Sequence, residues 1–448
     1  MSWSNQPVNA KAEETWRDEY ASKQIGIDEL FDRFVTGGQR IYFGGLHVPT
    51  TIINELLRRV REGRLTGIDI WANWMNGKVD LGLMDVMAPE AFRYHTYFAG
   101  PNERAGFGSC VSHVPVHFSD VWDMLASQDL DFAIVQMTPP DERGYCNIGP
   151  LGFVPGGVRS AKRIIANVNP NLPRVFGDTH DYHVSQIDAF VLQSEELDIA
   201  PVIAPTPEEL KVAELVVDRV NDGDTIQLGI GGISVAIGEG LKSKQHLGCH
   251  TEMYSDVFVD LQQRGVIDNS RKSFMPGVSI GGYSTGSQRL YDFINENPDV
   301  QFRSYNMVCD PATIAKNDNL VSINTAVSID LTGQVCAESI GPRQYSASGG
   351  QCDFVRGVKH SKGGRGFIAV TSVAHTKKGP VSKIAPILAP GSAVTSLRND
   401  LQYVATEYGI ADLRWADLET RAKRLIAIAH PDFRDELAFE AKKRSLLI

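Results

Sequence analysis

Two carboxylates and one glycine loop are the residues of this chain whose types and spacing suit covalent chemistry on an anionic ligand. Glu252 lies in His250-Thr251-Glu252-Met253-Tyr254-Ser255-Asp256, a polar cluster reached by an apolar approach, Leu247-Gly248-Cys249. A carboxylate so placed can attack a carbonyl carbon and carry an acyl group. It can equally be a solvated or capping carboxylate, and Glu407, in Thr406-Glu407-Tyr408-Gly409, is the rival nucleophile. About twenty residues upstream of Glu252 runs Gly229-Ile230-Gly231-Gly232-Ile233. The apolar run Thr225–Leu228 precedes it; Ser234 follows as a candidate N-cap, with Val235, Ile237 and Leu241 at helical spacing. Strand, glycine turn and helix start together form a cradle of backbone N–H groups for an anion. Close packing between strand and helix accounts for such glycines as well. The loop is not a full GxGxxG and no Walker lysine follows, which argues against a nucleoside triphosphate.

Other polar motifs are less specific. Lys377 and Lys378, in His375-Thr376-Lys377-Lys378-Gly379, suit a solvated loop or an anion contact. His113 and His117 stand four apart, and His180 and His183 flank Asp181, but neither set has further ligands nearby, so no metal is expected. There is no GxSxG elbow for a serine nucleophile.

Composition narrows the field. A net charge of −10 with no basic block argues against a nucleic-acid partner, and any anionic ligand must meet positive charge gathered locally. Hydrophobic content of 42% and charged content of 22% are those of a soluble globular protein. No apolar run approaches the ~20 residues needed to span a membrane. The N-terminus has no apolar core and carries early acids, unlike a secretory signal or transit peptide. Cys110, Cys146, Cys249, Cys309, Cys336 and Cys352 form no CxxC pair; buried free thiols in a reducing cytoplasm are the simplest reading.

The elements that must position these groups follow from periodicity. Residues 1–36 read as a helical lead-in anchored by Trp16, Tyr20, Leu30 and Phe34. Strands are predicted at 40–43, 68–74, 132–136 and 163–168, and a helix after Pro49 through Ile52, Ile53, Leu56, Leu57 and Val60. Residues 76–108, rich in aromatics and glycine, read as loops wrapped near a site. Residues 193–205 read as a linker, and 416–430 as an amphipathic helix with Leu418, Ala422, Leu425, Ile426 and Ala429 inward, ended by Pro431. The second half repeats the first. Gly38–Gly45 corresponds to Gly223–Ile230, Phe132–Gly149 to Val321–Gly341, and Arg163–Val168 to Gly366–Thr371. The expected fold is therefore α/β: two similar open domains, 1–204 and 205–448, with mainly parallel sheets and a ligand cleft between them.

Several blocks, namely PPDERGYCNIG (139–149), HTEMYSD (250–256), LTGQVCAESIG (331–341), SGGQCDFVRG (348–357), TEYGIADLR (406–414) and IAHPDFRDEL (428–437), resemble the acetyl-CoA hydrolase/transferase family. The likeness is strongest to its 4-hydroxybutyrate and butyryl-CoA:acetate CoA-transferases and runs over nearly the whole chain. It implies two facing α/β domains, a CoA-transferase-like duplication, with Glu252, in the family's His-Thr/Ser-Glu-Met block, as nucleophile. It also implies that Gly229, Ile230, Gly231, Gly232 and Ile233 lie against the coenzyme A thioester, with Asn324, Ala347, Gly349, Gly350 and Lys378 near the bound CoA. Val257 and Ala347 stand where the family usually has glycine, which is expected to reshape the exit from the site and narrow one N–H approach.

The reaction so implied transfers CoA from a short-chain acyl-CoA to a free carboxylate such as acetate, by ping-pong steps through an acyl–glutamyl anhydride and a glutamyl–CoA thioester. A glutamate of ordinary pKa, ~4.3, is fully ionised at pH 7. The glycine loop and residues 347–350 would be the donors to each oxyanion. Aromatics at Tyr94, Phe98 and Phe107 would exclude water. Acyl-CoA hydrolysis at the same site is the alternative activity, and a non-catalytic sensor of sugar phosphates or CoA esters the alternative class. CoA as substrate, no metal, no nucleic acid or membrane partner, a cytoplasmic location and a homodimer or higher homo-oligomer complete the expectation.

Overall fold

A computed structural model describes residues 10–79, 81, 90–200 and 203–447. Parts of the lead-in, of the 76–108 loops and of the linker lie outside these residues. The described residues form two large sheets. The first, seven strands and all parallel, runs in the order Ala189–Leu192, Arg163–Val168, Phe132–Met137, Arg40–Tyr42, Ile68–Ala72, Phe92–Thr96, Val111–His113. The second runs Gly409–Asp412, Tyr403–Thr406, Arg365–Ala369, Leu320–Asn324, Thr225–Leu228, Gly248–Tyr254, Ser279–Ser284, Val300–Phe302, Phe176–Gly177. Only Gly409–Asp412 is antiparallel to its neighbour.

The internal repeat is visible strand for strand. Arg40–Tyr42 sits between Phe132–Met137 and Ile68–Ala72, as Thr225–Leu228 sits between Leu320–Asn324 and Gly248–Tyr254. Arg163–Val168 and Arg365–Ala369 take the next place outward in each sheet. The three sequence correspondences therefore fall on equivalent strands. The halves are not separate: Phe176–Gly177 comes from the first half yet pairs with Val300–Phe302 of the second.

Apolar periodicity drives the helices onto these sheets. In the helix Thr50–Arg61, Ile52, Ile53, Leu56, Leu57 and Val60 are all buried, the stripe that a 3.6-residue period requires. Burial of such side chains contributes ~1.5–3 kcal/mol each. All six cysteines are buried and free. No described helix is long and apolar enough to cross a membrane.

The C-terminus differs from expectation. The helix runs Leu418–Ile428 with Leu418 exposed rather than inward, because Asp417 caps it through the Thr420 N–H and Leu418 begins the first turn. Pro431 ends that helix but also starts another, Pro431–Lys443, since proline suits a first helical position. Val257 follows directly on Ser255-Asp256. It lies in the helix Asp256–Gln263 and fills the space where a Cβ on Gly238 would stand.

Candidate active site

Glu252 projects from the strand Gly248–Tyr254, whose inner residues are fixed by their own hydrogen bonds. His250 is fully buried; its Nε2 donates to Val308 O at 2.9 Å and its Nδ1 faces Asn317 Nδ2 at 3.2 Å. Burial, helped by the nearby Lys272 ammonium, pushes the imidazole down to about 4, so it is neutral and structural. Thr251 Oγ1 donates to Met253 O at 3.1 Å. Of His250, Thr251 and Glu252, it is Glu252 that is turned toward open space.

That space is a cavity of about 140 Å³. Glu252, Gly229, Ile230, Asn324, Ala347, Gly349 and Gly350 all line it, together with Phe98 and Tyr283. Gly231, Gly232 and Ile233 continue the loop just behind the lining residues. Lys378 lies elsewhere, beside the turn of the exposed hairpin Val373–Thr376 and Gly379–Ser382. Glu407 is buried outside the cavity, accepting from the Ser372 N–H at 2.8 Å and the Ser372 hydroxyl at 2.5 Å. It ties down a strand end, whereas Glu252 lines the cavity. Of the three aromatics expected to shield the site only Phe98 does so, stacked on Trp74. Tyr94 is spent on Asn73 O and Glu103, and Phe107 packs on the first-half core.

The glycine loop needs two corrections. Ser234 is not the N-cap; Gly231 is, at φ +98°, a conformation that a side chain resists. The Gly229 N–H is committed to Ile323 O at 2.9 Å, so it is no oxyanion donor. The amides of Ile230, Gly231, Gly232 and Ile233 have no acceptor among the described residues, and these form the open cradle. Asn324 is held across it by reciprocal contacts with Gln227, at 3.2 and 3.3 Å. Ala347 is accommodated in the wall without closing the cavity.

Ionisation of Glu252 also differs from that of a free glutamate. Burial pushes the Glu252 carboxyl up to about 8; the Gly350 N–H, which donates to Oε2 at 2.8 Å, opposes this, and the Asp353 carboxylate adds to it. A free glutamate would be ionised at pH 7, whereas burial here favours the protonated form. The deprotonated form is correspondingly more basic and more nucleophilic.

Sequence reasoning passed over Asp353. It sits in the first turn of the helix Gln351–His360, is buried, and is itself pushed up to about 7 by burial. Ser119 from the first half donates to it through its N–H at 3.1 Å and its hydroxyl at 2.8 Å. Ser348 Oγ also donates to Val116 O at 3.0 Å. First-half loops therefore hold the 346–353 segment against Glu252. The signal available was an acid three residues after a glycine pair at a helix start; the partner, 234 positions away, was not legible.

Residues 8–204 match the family model of the acetyl-CoA hydrolase/transferase N-terminal domain, and residues 286–441 that of the C-terminal domain. The chain is 38% identical over 438 residues to a 4-hydroxybutyrate coenzyme A transferase of Clostridium kluyveri, covering 96% of this chain and 99% of the relative. It is 42% identical over 333 residues to a succinyl-CoA:cyclohexane-1-carboxylate CoA transferase of Geobacter metallireducens, covering 74% of this chain and 75% of the relative. The crystal structure of RipA from Yersinia pestis superposes with a TM-score of 0.89 at 34% identity, over 96% of this chain and all of that one.

Proposed function

From a chain that belongs to the acetyl-CoA hydrolase/transferase family, we propose a ping-pong transfer of CoA through Glu252, between a short-chain acyl-CoA and a free carboxylate such as acetate. The chain is a CoA transferase, acting between an acyl-CoA and a carboxylate. The observation that carries the finer reading is the Glu252 carboxyl at the wall of a small cavity, with the Gly350 N–H donating to it and Ile230 of the glycine loop in the same wall.

In the proposed cycle the Glu252 carboxylate attacks the thioester carbonyl and expels the CoA thiolate, leaving an acyl–glutamyl anhydride. The thiolate attacks the glutamyl carbonyl and releases the first acid, leaving a glutamyl–CoA thioester. The second acid repeats the steps in reverse and Glu252 is regenerated. Activation is conserved throughout, so no ATP or metal enters the balance. The Ile230 and Gly350 amides, of residues in the cavity wall, are the candidate donors to each tetrahedral oxyanion, and a well-placed donor lowers the barrier by ~3–4 kcal/mol. Phe98 and Tyr283 cover the site against water, which would hydrolyse the anhydride. This favours transfer over hydrolysis.

Residues 1–204 and 205–448 are read as the two domains, with Asn324, Ala347, Gly349 and Gly350 against the thioester end of CoA. Lys378, on its exposed hairpin, is read as a contact to the CoA phosphates. Its replacement by alanine should then raise KM for acyl-CoA more than KM for the acid. The central reading is tested by incubating enzyme with acyl-CoA and reducing with borohydride. A thioester at Glu252 becomes a primary alcohol, located by peptide mass spectrometry; an unmodified Glu252 with full transfer activity would refute it.

A further inference from the structure

We infer that Gln227 and Asn324 form a matched donor–acceptor edge in the wall of the Glu252 cavity, and that this edge takes a hydroxyl group of the substrate. The inference rests on the transfer reading above and adds the group that its cavity selects. Gln227 lies on the strand Thr225–Leu228 and is 2% exposed; Asn324 ends the neighbouring parallel strand, Leu320–Asn324. Gln227 pairs in register with Ser322, so Asn324 stands one pleat further toward the strand ends, on the same face. Both Gln227 and Asn324 line the cavity that Glu252 lines.

The two carboxamides face each other as a closed pair. Asn324 Nδ2 donates to Gln227 Oε1 at 3.2 Å, and Gln227 Nε2 donates to Asn324 Oδ1 at 3.3 Å. A primary amide has two N–H groups and two oxygen lone pairs, so such a pair keeps two further edges, each with one donor and one acceptor. Ser322 fills the first. Its Oγ accepts the second Asn324 N–H at 3.1 Å, and its hydroxyl donates to Gln227 Oε1 at 2.5 Å. Ser322 is fully buried, so this edge is the inner one. On the opposite edge, one N–H of Gln227 and one lone pair of Asn324 Oδ1 have no partner among the described residues. That edge lies toward the glycine loop: a Cβ added to Gly229 would stand 3.8 Å from Asn324 Oδ1. Turning both amides over exchanges the two roles and still leaves one donor beside one acceptor.

A hydroxyl fits this edge because its one oxygen accepts the N–H and donates to the carbonyl oxygen, as Ser322 does on the inner side. A carboxylate or a thioester carbonyl has no hydrogen to give. An aliphatic carbon would leave both amide groups unpaired in a buried wall. A hydroxyl that displaces water from the edge reproduces both of its bonds, which a methylene cannot do. Two parts of the substrates can carry such a hydroxyl: the acyl chain and the pantetheine arm of CoA. Gln227 is then a specificity residue of the reaction as well as the support of Asn324.

The test is a matched set of acceptor acids, butyrate and its 2-, 3- and 4-hydroxy derivatives, with acetyl-CoA as donor. If the hydroxyl belongs to the acyl chain, wild type favours at least one hydroxybutyrate over butyrate in kcat/KM by about ten-fold or more. Gln227→Met, which keeps the bulk and removes the amide, then brings that ratio to within about two-fold. If the hydroxyl belongs to the pantetheine arm, Gln227→Met treats the four acids alike. Its loss is then at least about five-fold greater with acetyl-CoA than with S-acetyl-N-acetylcysteamine, which lacks that hydroxyl. Should Gln227→Met not fold, Asn324→Leu removes the other half of the edge and is read for the same ratios. Should wild type transfer CoA to none of these acids, the transfer reading fails. The inference is then decided by the rise in unfolding midpoint that each acid, CoA and N-acetylcysteamine give in wild type and variant. Losses equal for all four acids and for both thioesters, or midpoint rises that the substitution changes equally, overturn the inference; the edge then holds only water.

Discussion

Gly350 and Glu252 are joined by one hydrogen bond of 2.8 Å, from the backbone N–H that opens the helix Gln351–His360 to carboxyl Oε2. A Cβ on residue 350 would overlap that same oxygen. Replacing Gly350 by alanine should therefore displace the Glu252 carboxyl without unfolding the chain, because φ −90° and ψ 3° are open to alanine. Loss of one aligned donor and of the carboxyl's position should cost about 100-fold or more in kcat. Steady-state kinetics would check this, and a variant within about two-fold of wild type would show that the contact does not matter.

Stability should report the Glu252 proton. The folded carboxyl is pushed up to about 8 against an ordinary value of 4.5. Between those values the folded state keeps a proton that the unfolded chain has released. The stability so contributed is full below about 4.5 and is lost as pH rises through about 8. Glu252→Gln has no such loss. Its unfolding midpoint should match wild type near pH 5 and exceed it by a few degrees near pH 9. A difference that does not vary with pH would contradict the buried carboxyl.

Asp353 should act on the reaction through Glu252. Its charge is one of the causes holding the Glu252 carboxyl up, behind burial. Asp353→Asn keeps an acceptor for Ser119 but removes the charge, so the rising limb of kcat/KM with pH should move to lower pH. The limb belongs to the pair rather than to either residue. A purely structural role would lower kcat/KM at every pH and leave the limb in place; that result would remove Asp353 from the electrostatics of the site.

Much of this was legible in the chain because it is local. Thr225–Leu228 and Arg163–Val168 are strands over the residues that their apolar runs mark. The repeat was legible because both halves keep one strand order. What sequence could not give was set by tertiary contact. The pKa of Glu252 depends on burial beneath residues 98, 283 and 350, none of them near it in the chain. Gly229 lost its donor role to Ile323, a strand neighbour 94 positions on by number. Glu407 and Glu252 look alike locally, and only Ser372 beneath the first and a cavity beside the second separate them.

The covalent intermediate makes a last prediction. If Glu252 carries CoA as a thioester, its side-chain carbonyl is an activated acyl group a few bonds from its own backbone nitrogen. On heating, the chain loosens and that nitrogen can attack the carbonyl, expelling CoA thiol and closing a five-membered ring. The nitrogen is then acylated twice, and its bond to Thr251 becomes prone to hydrolysis. Enzyme warmed after exposure to acyl-CoA should break in part between Thr251 and Glu252, giving one fragment that ends at Thr251 and another that begins with a ring-closed glutamate. Mass spectrometry distinguishes these from ordinary cleavage. The break should be missing without acyl-CoA and in Glu252→Gln, and Glu407→Gln should not affect it, since Glu407 is tied to Ser372. A break before Glu407 would move the nucleophile there, and a break independent of acyl-CoA would withdraw the thioester at Glu252.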